Sequence, residues 1–417
     1  MRVLVLTPYL PHRRIGHGGG ASVRDLLTWL AKLHEVQVAA LVRPGEESLI
    51  GQVEELGVSV APVKFLDSRA EGPARLALLS DRAVAWARSL RSGYPWYVEK
   101  YWSPDLSRQI LSIAEQFAPD AVQVEYLQLA LLARDLRRWR DNRPSCTARL
   151  VLNSHELGSL PRDRRALRTA NPVAAFAARR EARAWGRLQI DATGWADRTL
   201  CVTPEDHALY KGMGGKNLVT VPLGMDLERI GADWSPGPGH RFLFVGSFNH
   251  RPNRLAAEFL VDTMWQDVIQ ALPDSKLILV GRGSRKFLRR HIEEARWADL
   301  GIDALGFVDD LTGLFRECHL FVAPLPEGGG IKIKILEAMA RGIPVVTTPV
   351  GAEGITCPED DAVVIAPFDN NFATAVLNAA RDPETSRSRA RRARKLMEER
   401  FSWAAITDRL TAIYEGE

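Results

Sequence analysis

The chain has 417 residues, of which 46% are hydrophobic and 25% charged, and its net charge is only +4. That length exceeds one ordinary core and argues for two domains, while the composition is that of a globular protein. The near-balanced charge argues against a nucleic-acid partner, and no apolar run approaches the ~20 residues that span a bilayer.

Met1-Arg2-Val3-Leu4-Val5-Leu6-Thr7-Pro8 is too short in apolar length for a signal peptide and predicts a first strand over Val3–Thr7. The expected location is the cytoplasm. Further strands are predicted at Val36–Leu41, Val58–Val63, Ala121–Glu125, Arg149–Asn153 and Thr199–Thr203, with amphipathic helices at Ala21–Leu33 and Leu106–Phe117. A long Ala/Arg-rich helix is predicted over Pro172–Ile190. Such alternation implies a parallel sheet covered by helices on both faces. The stretch Asp67–Trp102 is less regular and reads as helices and loops inserted into this first domain. The stretches Arg134–Arg149 and Arg162–Arg187 are strongly basic. They are either solvated helix faces or a surface for anionic lipid headgroups or an anionic acceptor, which would make the protein peripheral to a membrane.

The Gly/Pro-rich segment Pro222–Gly239 reads as a linker. A second alternating series follows, with strands at Arg241–Val245, Lys276–Val280, Ala304–Phe307, His319–Ala323, Val345–Thr348 and Ala362–Ile365. The arginine-rich helix Ser386–Arg400 precedes a final amphipathic helix that Ser402 caps. The expected division is a first domain over 1–222, a second over 223–401, and a terminal helix, 402–417, packing back on the first. The halves read as two copies of one architecture, with ligands at the C-terminal ends of the strands in a cleft between them. Cys146, Cys201, Cys318 and Cys357 show no metal-ligand spacing; Cys201 and Cys318 fall in apolar runs and are core candidates.

The segment Pro324-Leu325-Pro326-Glu327-Gly328-Gly329-Gly330-Ile331-Lys332-Ile333-Lys334-Ile335-Leu336-Glu337 carries the chemistry. An apolar run feeds a triple glycine that opens a helix, and a second apolar run follows. Glycines let backbone N–H groups approach an anion closely, and a helix N-terminus adds about half a positive charge. Lys332 and Lys334 stand in the first turns, within reach of the same anion. Glu327 and Glu337 bracket the loop, and carboxylates suit the hydroxyls of a sugar attached to a phosphate. The segment therefore points to a nucleotide-sugar site.

Several separated segments now converge on one family. They are the first strand with its glycine loop, the acidic residue closing a middle strand, VPLGMD, FVGS, GFVDDL, the glycine–glutamate segment and the Phe-Ser-Trp tail. Together they resemble the GT-B glycosyltransferases, specifically the retaining family GT4, over nearly the whole chain. The resemblance implies two Rossmann-like doubly wound parallel-sheet domains facing a cleft. It implies sugar transfer from a UDP- or GDP-sugar, without a metal, to an acceptor hydroxyl of a saccharide, a lipid-linked glycan or a small natural product.

In that likeness Gly328, Gly329, Gly330, Ile331 and Lys332 hold the diphosphate. Glu337 takes the ribose hydroxyls, and Glu327 contacts the transferred sugar. Phe307 and Val308, in Gly306-Phe307-Val308, meet the nucleobase; Gly246, Ser247 and Arg282 line the phosphate pocket. In the first domain Gly18, Gly19 and Gly20, after His17, open the first helix beside the cleft. His155 and, more weakly, Glu156 stand near the reacting sugar, and Glu125 touches the acceptor or orders its loop. The chain also departs from the family. Glu327 and Glu337 are ten positions apart where the family has eight. Ser247 and Pro252 stand where the family tends to carry Arg and Lys, so Arg251, Lys332 or Lys334 supplies that charge. Three other readings stay open: an inverting transferase using His17 as base, a nucleotide-sugar epimerase of the same fold, and a non-catalytic binding homologue.

Overall fold

The computed structural model describes residues 1–13, 18–67, 72–155, 158–159, 171–232, 234–328, 330–355 and 358–417. The chain divides into two compact units, one of 1–224 with 406–417 and one of 225–405.

The first unit is built on seven parallel strands: β1 (Arg2–Thr7), β2 (Glu35–Val42), β3 (Ser59–Lys64), β4 (Ala121–Glu125), β5 (Arg149–Asn153), β6 (Arg198–Cys201) and β7 (Leu218–Thr220). Their order is β3-β2-β1-β4-β5-β6-β7. The second unit carries six: β8 (His240–Val245), β9 (Ser275–Val280), β10 (Ile302–Gly306), β11 (Leu320–Ala323), β12 (Val345–Thr347) and β13 (Val364–Ile365). Their order is β10-β9-β8-β11-β12-β13, again all parallel. Both sheets thus start in the middle, run outward and then reverse, which is doubly wound Rossmann topology. In each, the reversal lies beside the first strand, between β1 and β4 and between β8 and β11. Crevices for ligands form at such points, at the carboxyl ends of the strands.

Each of the twelve predicted strands is found, within a few residues at its ends. The central ones were readable because a strand buried on both faces tends to be a continuous apolar run; Val3, Leu4, Val5 and Leu6 of β1 are all fully buried. β7 was not foreseen. It has only three residues, all half-buried, too few for a period to register.

Capping explains several helix starts. Ser103 caps Pro104–Phe117 and Asn171 caps Pro172–Trp195, each side chain accepting from first-turn amides with proline at the start. Ser402 accepts from the Ala405 amide at 3.2 Å, as its position suggested. The first helix spans Gly18–Leu30, so the three glycines form its first turn rather than preceding it. The region after Asp67 contains the helix Pro73–Ser92 and the short turn Trp96–Glu99. Cys201 and Cys318 are buried, as expected of core residues. No helix among the described residues is long and apolar enough to cross a membrane.

One backbone contact in the second unit has no room for a side chain. Gly281 follows β9 with φ of +132°, and a Cβ there would lie 2.0 Å from the carbonyl oxygen of Gly246. Gly281→Ala should therefore destabilise this unit by about 3–5 kcal/mol, combining a backbone clash with a conformation that L-residues avoid. Chemical denaturation would test this; a loss below about 1 kcal/mol would mean that the two strand ends separate easily.

Candidate functional site

The carboxyl ends of β8, β9, β10 and β11 form a glycine-lined rim in the second unit. Gly246 follows β8 and packs on Asn253, so that a Cβ would lie 2.7 Å from the Asn253 side-chain carbon. Asn253 in turn donates through Nδ2 to the Ser247 carbonyl at 2.9 Å. The Gly281 amide donates to the Gly306 carbonyl at 2.7 Å, tying the ends of β9 and β10 together. Gly328 and Gly330, with φ of +131° and +71°, bend the loop after β11 through the left-handed region. That loop delivers the N-terminus of the helix Ile333–Ala340, whose cap residue, Lys332, makes no side-chain capping bond. The first amides of a helix need acceptors, and an anion is a suitable one.

The two lysines of this loop diverge. Lys332 folds back, its Nζ donating to the Gly330 carbonyl at 2.5 Å and lying 3.6 Å from the Glu353 carboxylate. Lys334 turns inward, donating to Asn253 Oδ1 at 2.5 Å and lying 4.7 Å from the ring of the fully buried Phe244. Burial, reinforced by the neighbouring Lys332, lowers its amine from 10.5 to about 7. The Lys334 amine therefore sits behind the Gly246–Ser247 turn rather than at the loop surface.

Glu337, on the first turns of the same helix, accepts from Arg341 at 3.2 Å. Glu327 is ion-paired with Arg251, so the carboxylate assigned to the sugar and a cation assigned to the phosphate neutralise one another. Arg282 lies over the ring of Phe307, 5.1 Å from its centroid, and Phe307 is 60% exposed. Val308 and Ile331 pack against the core below. The second-unit candidates that are described thus gather at one rim; Gly329 lies outside the described residues.

In the first unit the ends of β1, β4 and β5 converge at the corresponding reversal. Glu125 closes β4 and is fully buried. Its carboxylate accepts from Gln123 Nε2 at 2.5 Å and Asn153 Nδ2 at 3.2 Å, and is paired with His155 Nε2. His155 and Tyr126 both adopt left-handed backbone conformations, φ +57° and +70°. Their rings stack with centroids 3.7 Å apart and planes 10° apart. Each such non-glycine conformation costs on the order of 1–2 kcal/mol and persists where its surroundings enforce it. Tyr9, beyond β1, packs edge-on against Tyr126 at 5.6 Å. Burial first, then Tyr126 and Glu125, drive the Tyr9 hydroxyl far above its ordinary range. Gly18, Gly19 and Gly20 begin their helix after 14–17, which with His17 lie outside the described residues, as does Glu156.

Several contributors escaped the sequence reading. Asn253, Gln123, Tyr126 and Tyr9 act through partners distant in the chain or through ring packing. Thr348 had a local signal: threonine, then proline, then a glycine three residues on. Its hydroxyl caps the Gly351 amide at 3.1 Å and donates to the Leu325 carbonyl at 2.6 Å, bracing the loop after β11. The first basic stretch is largely consumed in ion pairs: Arg137 with Asp197 at 3.1 Å, Arg140 with the same carboxylate, and Arg143 with Glu115 at 3.2 Å. Among the described residues no cluster of three or more His, Cys, Asp or Glu side chains is placed to hold a metal ion.

Comparison with known proteins agrees with this architecture. Residues 17–224 match the profile described as glycosyl transferase 4-like domain, and residues 239–382 that described as glycosyl transferases group 1. The chain is 27% identical over 209 residues to a phosphatidyl-myo-inositol mannosyltransferase of Mycolicibacterium smegmatis, covering 48% of this chain and 52% of that protein. In that comparison the chain spans about half the length of the curated relative it matches. It is 28% identical over 316 residues to a GDP-mannose-dependent alpha-(1-6)-phosphatidylinositol dimannoside mannosyltransferase of Mycobacterium tuberculosis, covering 70% and 73% respectively. A sucrose-phosphate synthase from Thermosynechococcus elongatus shares the fold with a TM-score of 0.67 at 19% identity, over 100% of this chain and 98% of that one. With two doubly wound parallel sheets, both family profiles and these relatives, the chain belongs to the GT-B glycosyltransferases and resembles the GT4 family among them.

Proposed function

We propose that the protein transfers a sugar from a nucleoside diphosphate sugar to an acceptor hydroxyl, with retention of anomeric configuration. One observation carries this reading: the glycine-lined strand ends of the second unit meet the uncapped N-terminus of Ile333–Ala340 at a single rim. Amides there are preorganised for a departing diphosphate, which is where charge develops as the glycosidic bond breaks. Backbone amides at Gly328 and Gly330, with Lys332, hold the diphosphate, and Glu337 takes the ribose hydroxyls. The exposed Arg282–Phe307 pair faces the nucleobase. Glu327, released from Arg251, turns to the hydroxyls of the transferred sugar, and Arg251 then faces phosphate. In this mechanism the amides and cations neutralise the leaving group without a metal, and the leaving phosphate helps to take the acceptor proton on the same face of the sugar. A strong dedicated base is then unnecessary.

The donor is a UDP- or GDP-sugar; the relative named as GDP-mannose-dependent favours testing GDP-mannose first. A thermal-shift panel of nucleotide diphosphate sugars would identify it. Glu337→Ala should weaken UDP or GDP binding about tenfold, the value of a charge-assisted hydrogen-bond pair. Unchanged affinity would remove Glu337 from the site. Product anomeric configuration, read by NMR, distinguishes retention from inversion.

A further inference from the structure

A second recess lies in the first unit, at the carboxyl ends of β2 and β3. It is a cavity of about 440 Å³, within the usual size range of small-molecule sites of ~300–1,000 Å³. Its wall combines Arg43, Lys64, Arg82 and Lys100 with the aromatic residues Tyr101 and Trp102. Nothing in the donor reading uses it.

The cations are arranged in an informative way. Arg43 is fixed by the Asp67 carboxylate at 3.2 Å and the Pro8 carbonyl at 3.1 Å. Among the described residues no carboxylate forms an ion pair with Lys64, Arg82 or Lys100. The acids at the mouth are engaged elsewhere or open to water: Asp105 accepts from Arg108 at 3.2 Å and Gln109 at 2.9 Å, and Asp81 is exposed. Lys100 instead lies over the rings of Tyr97 and Tyr101, at 4.0 and 4.9 Å. Burial lowers its ammonium, and Arg82 and Arg43 push in the same direction, against Tyr97 and Asp67. Arg43, Arg82 and Lys100 lie within electrostatic reach of one another, Asp67 offsets part of their repulsion, and an anionic ligand would offset the rest. The aromatic wall is equally defined. Phe65 stacks on Tyr101 at 4.9 Å with planes 2° apart, and Trp102 is pinned through its Nε1 to Asp135 at 2.6 Å. Rigid rings beside fixed cations suit a ligand with one apolar ring face and one strongly anionic substituent.

We propose that this recess binds a phosphorylated carbohydrate, with the phosphate on Arg82, Lys100 and Arg43 and the sugar ring against the half-buried Trp102, beside the buried Tyr101. Resting on the glycosyl-transfer reading, this makes the acceptor a phosphate-bearing sugar. A free sugar phosphate and the headgroup of a glycerophospholipid share that chemistry.

The test is calorimetric titration of the full chain with glucose 6-phosphate, glucose, glycerophosphoinositol, myo-inositol and inorganic phosphate. At least one phosphorylated compound should bind about tenfold or more tightly than its phosphate-free parent and than inorganic phosphate. Glucose 6-phosphate as the better ligand marks a free sugar phosphate as the source, and glycerophosphoinositol a lipid headgroup. Arg82→Gln with Lys100→Gln should weaken that ligand at least tenfold while leaving UDP or GDP affinity unchanged. Lys100→Gln alone, folded by circular dichroism, serves where the double variant does not fold. The proposal is overturned if neither phosphorylated compound exceeds its parent, if inorganic phosphate binds as tightly, or if folded variants bind as the wild type does. Failure of nucleotides to bind the wild type would instead count against the donor reading and leave this result standing.

Discussion

His155→Ala is expected to lower turnover about a hundredfold while nucleotide affinity stays within about twofold, the pattern of a group acting on the reaction rather than on donor binding. His155 follows β5 in a left-handed conformation that returns its ring over Tyr126 and onto the Glu125 carboxylate. A fully buried carboxylate fixes the orientation of the imidazole, as a third group does in other such sites. Gln123 and Asn153 still satisfy Glu125 in the variant, so the stability lost should be on the order of 1–3 kcal/mol. Glu125→Gln should produce part of the same loss of turnover, because it removes the charge and keeps the shape. Steady-state kinetics with equilibrium nucleotide binding would check both. Wild-type turnover in His155→Ala excludes the residue from the chemistry; a parallel collapse of turnover and nucleotide binding would indicate a folding defect instead.

Lys334→Met should act in two opposite directions. Folding brings the Lys334 amine from 10.5 to about 7, so between those values the unfolded chain binds the extra proton. Stability from this group therefore rises with pH across that window, and below about 7 its burial opposes folding in full. Methionine removes that opposition while matching the length of the chain, so Lys334→Met should stabilise the protein by about 2–4 kcal/mol at pH 6, less the bond to Asn253. The gain should shrink towards pH 10. Diphosphate binding should move the other way, because an anion at the Gly246–Ser247 turn favours the charged amine. Wild-type affinity for UDP or GDP should fall above pH 7, approaching tenfold per unit, as proton uptake becomes part of binding. Lys334→Met should bind at least tenfold more weakly at pH 6 and lose the pH dependence. Titration calorimetry in buffers of different ionisation enthalpy reads the proton directly. Flat affinity from pH 7 to 9, matched by the variant, would detach Lys334 from the diphosphate.

What could be read from residue order alone follows physical range. β1, β8 and β11 contain continuous apolar runs, Val3–Leu6, Phe242–Val245 and Leu320–Ala323, because both faces of a parallel sheet are covered, so their composition declares them. Gly328 and Gly330 were visible as loop glycines after a strand, and each has a positive φ that other residues avoid. The partners at the rim were not visible. Lys334 meets Asn253 across 81 residues, and Tyr414 meets Gln123 across 291. No local pattern encodes such pairs; the fold creates them. The ion pair of Glu327 with Arg251 escaped for the same reason, since each residue read separately as a ligand group.

The path of the chain carries a last consequence. After completing the second unit it re-enters the first through 406–417, where Tyr414 is buried and its hydroxyl donates to Gln123, the neighbour of Glu125. Consecutive cloning boundaries therefore cannot isolate the first unit intact. A fragment stopped at 224 would keep all seven strands yet lack the phenol that holds Gln123 in register with the buried carboxylate. Dissecting this protein by halves calls for a permuted gene, or for the terminal peptide supplied in trans.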